Sequence, residues 1–160
     1  MKNPRRRKAF CLIAAVAGLV FVWEPAGADE GIQVNEAWAR ATVPGQKVAG
    51  VYMEIVSSRD ARLTGVSTPI ARVGELHSMS MEDGVMKMRQ LSHIDLPAAR
   101  AVQLVPGGLH IMLFDLRKPL TAGESVPLTL QIKIDGERKK IPLQVKVQDR
   151  QAQSNAGEHQ

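Results

Sequence analysis

Between Leu128 and Ile134 the chain reads LTLQIKI, with Leu128, Leu130, Ile132 and Ile134 on alternate positions and Thr129, Gln131 and Lys133 between them. A period of two marks an extended strand with one apolar and one polar face. Strand-like runs recur along the chain, and no segment sustains a helical period. They cover 32–40, 50–57, 62–68, 73–79, 85–91, 101–105, 110–116, 125–135 and 139–148. Turn residues separate them, among them Pro44-Gly45, Asp83-Gly84, Pro106-Gly107-Gly108, Lys118-Pro119 and Asp135-Gly136. Asp-Gly between extended runs is a strong hairpin signal, and it occurs twice. Eight or nine strands without helices bury their apolar faces by packing sheet on sheet. The expectation is an all-β antiparallel sandwich or barrel with Greek-key connections.

The ends of the chain stand apart from this pattern. MKNPRRRK is a basic leader, AFCLIAAVAGLVFVW an apolar run, and Ala26-Gly27-Ala28 has the small-x-small form of a cleavage site. Residues 1–28 are therefore expected to be a removed signal peptide rather than a membrane anchor, because the run is shorter than the roughly 20 residues a spanning helix needs. Arg5-Arg6-Arg7 leaves the choice between general and twin-arginine export open. One folded domain is expected over 29–148, and a polar, disordered tail over 149–160.

Cleavage changes what the charge implies. The whole chain carries +5, but five of its 21 Lys+Arg and one of its 16 Asp+Glu lie in the signal, which leaves about +1. The basic pI belongs to the leader and does not indicate nucleic acid. Only Trp38, Tyr52 and Phe114 remain as aromatics, too few for a base-stacking platform. Cys11 is the only cysteine and lies in the apolar run, not at the end of a lipid-anchor box. The exported domain is then free of thiols, so no disulfide staples it and no thiolate holds a metal.

Sulfur is instead concentrated as thioether. Of seven methionines, Met1 and Met53 stand alone, and Met79, Met81, Met86, Met88 and Met112 fall in one stretch with His77 and His110. In an extended hairpin His77, Met79 and Met81 share one face of their strand, and Met86 and Met88 share one face of the next. If Asp83-Gly84 is the loop, Met79 lies opposite Met88; a shift of one residue puts His77 there. His110 and Met112 share a face of a later strand. Any one of these residues is more often packing than ligand, since methionine fills cores and a buried histidine can bond a carbonyl. Met53 fits the core, and His93 a surface loop. The joint pattern points to a soft cation. Thioethers are neutral, need no deprotonation and select Cu(I), while imidazoles leave a Cu(II) form accessible.

The same residues resemble the periplasmic copper chaperones of the PCu(A)C type. Their signature is His, ten residues, Met, twenty-one residues, His-x-Met, and here it reads His77, Met88, His110-Ile111-Met112. NEAWARATVPG (35–45) and VPGGLHIMLFDLRKPL (105–120) also look like that family, and the similarity runs from about Ile32 to Val147. The resemblance implies a cupredoxin-like Greek-key sandwich with Cu(I) held at a partly exposed site by His77, Met88, His110 and Met112. Met79 and Met86 are possible auxiliary ligands. It implies a monomer in the periplasm that delivers copper to the dinuclear centre of cytochrome c oxidase. Its partners would be the copper-bearing subunit and a thiol-containing assembly factor. Some members carry Met directly after the first His, where this chain has Ser78 and then Met79. Others carry His- and Met-rich tails, where this chain has only His159.

Other function classes fit less well. Storage or detoxification of copper needs the same ligands as delivery. A blue electron-transfer site lacks its cysteine. Ser78 follows His77, but no Gly-x-Ser-x-Gly elbow or HExxH helix accompanies it, so an enzyme is not expected. A plain interaction sandwich would leave the methionines as packing and bind no metal.

Overall fold

The computed structural model describes residues 31–149; the expected signal segment with Cys11, and nearly all of the expected tail with His159, lie outside them. Ten strands form: β1 (Ile32–Arg40), β2 (Val48–Ser57), β3 (Ala61–Ser67), β4 (Ala71–Glu82), β5 (Val85–Leu91), β6 (Ile94–Leu96), β7 (Ala101–Leu104), β8 (Leu109–Leu116), β9 (Ser125–Ile134) and β10 (Glu137–Gln148). Nine are the runs the sequence shows, with small shifts at their ends. The tenth, β6, is three residues long and too short to display a period.

Hydrogen bonding links the strands in one order, β5-β4-β8-β7-β2-β1-β10-β9-β3-β6, and β8 also pairs with β2. Neighbours run antiparallel except β1 with β10 and a single step of β7 with β8. Strands β4 and β8, and β1 and β10, pair across long stretches of chain, as Greek-key connections require. The open sheet curls into two layers. Strands β3 and β4 stand near opposite ends of the order, yet a Cβ on Gly74 would lie 2.7 Å from Val66 Cγ1. That close approach needs a residue without a side chain.

Alternation decides what fills the space between the layers. Val126, Leu128, Leu130, Ile132 and Ile134 of β9 are all buried, as are Val51, Met53 and Ile55 of β2 and Ile111 and Leu113 of β8. Each such side chain contributes about 1.5–3 kcal/mol of transfer free energy. The partner positions of β2 and β8, namely Gly50, Tyr52, His110, Met112 and Phe114, lie on the opposite, outer face.

Three local features shape that outer face. Strand β1 has a bulge between Asn35 and Trp38, with Glu36 at φ 49°, so that Asn35 pairs with Glu54 but Trp38 with Tyr52. Were these same residues to alternate regularly, Trp38 would pair with Val51 and face the core. Both Asp-Gly pairs form tight turns with two positive φ angles, 53° and 77° at Asp83-Gly84 and 50° and 84° at Asp135-Gly136, as type I′ hairpins demand. Finally, β4 pairs with β8 only as far as Ser78, so Met79–Glu82 and the facing part of β5 overhang as a hairpin. Every residue of β5 except Leu91 is exposed.

Candidate metal centre

The outer face of β1, β2, β8 and β4 carries a row of rings. Trp38 stacks on Tyr52 with centroids 4.4 Å apart, Tyr52 lies 6.4 Å from His110, and His110 lies 5.9 Å from His77. Phe114 closes the row 6.1 Å from His77. His77 and His110 are direct cross-strand partners, and Met112 pairs with Gly50 on its other side. A side chain at Gly50 would run into the Tyr52 ring, because its Cβ would lie 2.9 Å from the ring's Cζ. Glycine there leaves room for the phenol.

Both imidazoles are buried, at 8% and 3% exposure, and each has one nitrogen already engaged. Glu75 Oε2 lies 2.9 Å from His77 Nε2, and the Gly108 carbonyl 2.9 Å from His110 Nδ1. An ionised carboxylate and a carbonyl only accept, so each of those nitrogens donates its proton. The lone pairs are thereby left on His77 Nδ1 and His110 Nε2. His77 Nδ1 is buried and has no hydrogen-bond partner among the described residues. A buried orphan of this kind costs about 1–3 kcal/mol unless something fills its lone pair. Acceptors behind metal-binding imidazoles orient them in the same way.

The hairpin supplies the sulfur. Its register places Met79 opposite Met88 and Met81 opposite Met86, the outcome expected for an Asp83-Gly84 loop. Ser80, Glu82, Lys87 and Arg89 occupy the other face, where Glu82 accepts from Arg89 at 2.8 Å and from Lys87 at 3.1 Å. Lys87 and Arg89 hold the Glu82 carboxyl below the usual carboxylate range. Met79, Met88, His110 and Met112 line a cavity of about 440 Å³ whose far wall is Tyr52 and the segment from Arg40 to Val48. Among the described residues no three His, Cys, Asp or Glu side chains are grouped to hold a metal. A cation in this cavity therefore draws on thioether sulfur together with imidazole, a neutral and soft donor set.

A family model described as "Putative lipoprotein LpqE-like" matches residues 32–147. The chain belongs to the LpqE-like family. This LpqE-like chain is 31% identical over 154 residues to "Putative lipoprotein Lxx21020" of Leifsonia xyli subsp. xyli, across 91% of this chain and 92% of the relative. Among solved structures it resembles the copper-bound PCuAC domain from PmoF2, with TM-score 0.62 and 26% identity over 74% of this chain and 93% of that one. It also resembles the Cu(I) form of DR1885 from Deinococcus radiodurans, with TM-score 0.54 and 28% identity over 77% and 83% of the two chains. The all-β, cupredoxin-like architecture is common to them.

Within this LpqE-like fold the expected residues separate by position. Met88, His110 and Met112 line the cavity together with Met79. His77 stands one ring away, against His110 and Phe114, and does not line the cavity. Met86 sits one rung further out, 47% exposed, beside Met81 at 63%, and neither lines the cavity. Met53 is 2% exposed in the core, and His93 lies between β5 and β6. Sequence reasoning missed Glu75 and Tyr52. Glu75 had a signal, since it lies two residues before His77 on the same face. Tyr52 had none, because its place depends on the pairing of β2 with β1 and β8.

Proposed function

We propose that this LpqE-like protein is an exported, monomeric carrier of Cu(I) in the periplasm, cut from a signal peptide at residues 1–28 and folded over 29–148. His77 Nδ1, His110 Nε2 and the sulfurs of Met88 and Met112 hold the ion, with Met79 at the rim. The convergence of Met88, His110 and Met112 on one cavity carries the proposal. The similarity to copper-bound PCuAC structures adds support.

Copper here is cargo, and the site neither oxidises nor hydrolyses anything. All four donors are neutral, so binding releases no proton from them and the complex keeps the +1 charge of the ion. Glu75 and Gly108 fix the imidazole tautomers beforehand, which removes a reorganisation cost at binding. The absence of thiolate leaves the grip moderate, and Met88, half exposed, can be exchanged for an incoming ligand. The receiving protein is the copper-bearing subunit of cytochrome c oxidase, served together with a thiol-containing assembly factor. Periplasmic storage is the second reading and uses the same donors.

Two measurements test this. Cu(I) titration against a competing chelator should give one tightly held ion, weakened about tenfold or more by each of His77→Ala, Met88→Ala, His110→Ala and Met112→Ala while the apo folds survive. Losses that only follow unfolding would mean the cluster is packing. Deleting the gene at limiting copper should lower oxidase activity; copper sensitivity with normal oxidase would favour storage.

A further inference from the structure

A carrier that holds Cu(I) at the inner end of the hairpin makes no use of the hairpin's outer end. Met81 and Met86 face each other across β4 and β5 at 63% and 47% exposure, where they fill no core. Four thioethers thus form two rungs on one face of a hairpin that overhangs the sandwich.

The backbone brings both rungs to their closest spacing. The Met79 N–H donates to the Gly108 carbonyl at 3.0 Å, away from β5, so Met79 and Met88 are a non-hydrogen-bonded pair. Two residues on, Met81 and Met86 are one as well. Side chains approach most closely at such pairs, with Cα atoms about 4.5 Å apart. The rungs are separated by two residues, about 7 Å, and diagonal partners such as Met81 and Met88 are within reach of long side chains. Lys87 and Arg89, which would repel a cation, lie on the other face and are paired with Glu82.

We propose that Met81 and Met86 form a second, outer site for a soft monovalent cation, through which Cu(I) enters and leaves the inner site. The proposal rests on the carrier reading and adds a route to it. An ion bound by the two outer sulfurs exchanges one thioether at a time. A bond to Met88 or Met79 forms as a bond to Met86 or Met81 breaks, then His110 and Met112 replace the hairpin sulfurs. Every donor is neutral and the ion stays at +1, so no proton or electron moves. Exposure is 63% at Met81, 47% at Met86 and 50% at Met88, and drops to 3% at His110 where the path ends.

The test uses protein labelled with 13C at the methionine methyls and titrated with Ag(I), a d10 cation of similar softness that does not change redox state. The first equivalent should move Met88 and Met112, and the second Met81 and Met86. In M81L/M86L, which keeps the apolar volume and whose melting temperature checks the fold, the second equivalent should be lost. Transfer of Cu(I) to a chelator should slow about tenfold. The proposal falls if the Met81 and Met86 methyls stay put through both equivalents, or if M81L/M86L transfers at the wild-type rate. In H110Q/M112L the outer methyls should still respond, which supports the outer site. Movement of Met81 and Met86 in wild type without Met88 and Met112 would instead overturn the inner-site reading and leave the outer pair standing.

Discussion

Glu75 and Met88 show how differently residues around one candidate site can matter. Glu75 forms no part of the cavity lining, yet it sets which nitrogen of His77 keeps a lone pair. Glu75→Ala should leave the fold intact and lower Cu(I) affinity by about tenfold, measured by chelator competition. Met88→Leu separates packing from ligation. At 50% exposure the swap should cost no more than about 0.5 kcal/mol in a urea melt while copper affinity drops. Leu113→Ala, fully buried on the reverse face of the strand that carries Met112, should behave in the opposite way, costing about 2–5 kcal/mol. At this scale the candidate ligands are legible, because their types and spacing sit in the chain itself. Glu75 is half legible, through its step of two from His77. Tyr52 is not, because it joins Met112 in the cavity lining only through a register set by distant strands.

Strands and turns are more legible than the contacts between them. Alternation and the two Asp-Gly pairs mark nine strands and both hairpins, and the loop at Asp83-Gly84 decides between the two possible registers in favour of Met79 opposite Met88. What the pattern omits is β6, whose three residues offer no period. At φ 77° with open space around it, Gly84 is required by backbone conformation alone. Gly84→Ala should cost about 1 kcal/mol in chemical denaturation and broaden the methyl signals of the hairpin. The loop before β9 has its own tie. Lys118 bonds Glu124 at 2.7 Å and the Thr121 N–H bonds it at 2.9 Å, and together they lower the Glu124 carboxyl below its usual range. A lowered folded-state value means the contribution is present in full above the ordinary carboxylate range and is lost as pH falls from there through the lowered value. Melting temperature against pH should therefore fall less steeply in acid for Glu124→Gln than for wild type, with about 0.5 kcal/mol lost near neutrality after solvent screening.

The molecule as a whole is one open sheet curled over into two layers, and that curling is what a linear reading cannot supply. Gly74 reads as an ordinary residue of β4, but its Cα lies against Val66 of the other layer, with the Val66 carbonyl oxygen 3.0 Å from any added Cβ. Gly74→Ala should destabilise by about 1–3 kcal/mol, seen as a lower denaturation midpoint with an unchanged slope. The outline of the cavity likewise has no trace in the sequence, because its walls come from the segment after β1, the strands β2 and β8 and the overhanging hairpin, which meet only in the folded molecule.

The bulge at Glu36 brings a consequence of a different order. Ile32 and Val34 face inward before it and Ala37 and Ala39 after it, so the strand changes phase without changing direction. Deleting the exposed Glu36 would only make the strand regular, with Trp38 still beside Tyr52 and Ala39 still inward. One residue inserted between Ala37 and Trp38 would instead turn Trp38 into the interior, turn Ala39 out, and strip Tyr52 of its stacking partner. In this protein the composition of the outer face is thus hostage to an arithmetic of odd and even. A point substitution in β1 edits one side chain, whereas a single-codon insertion beyond the bulge exchanges the two faces of the strand that follows it.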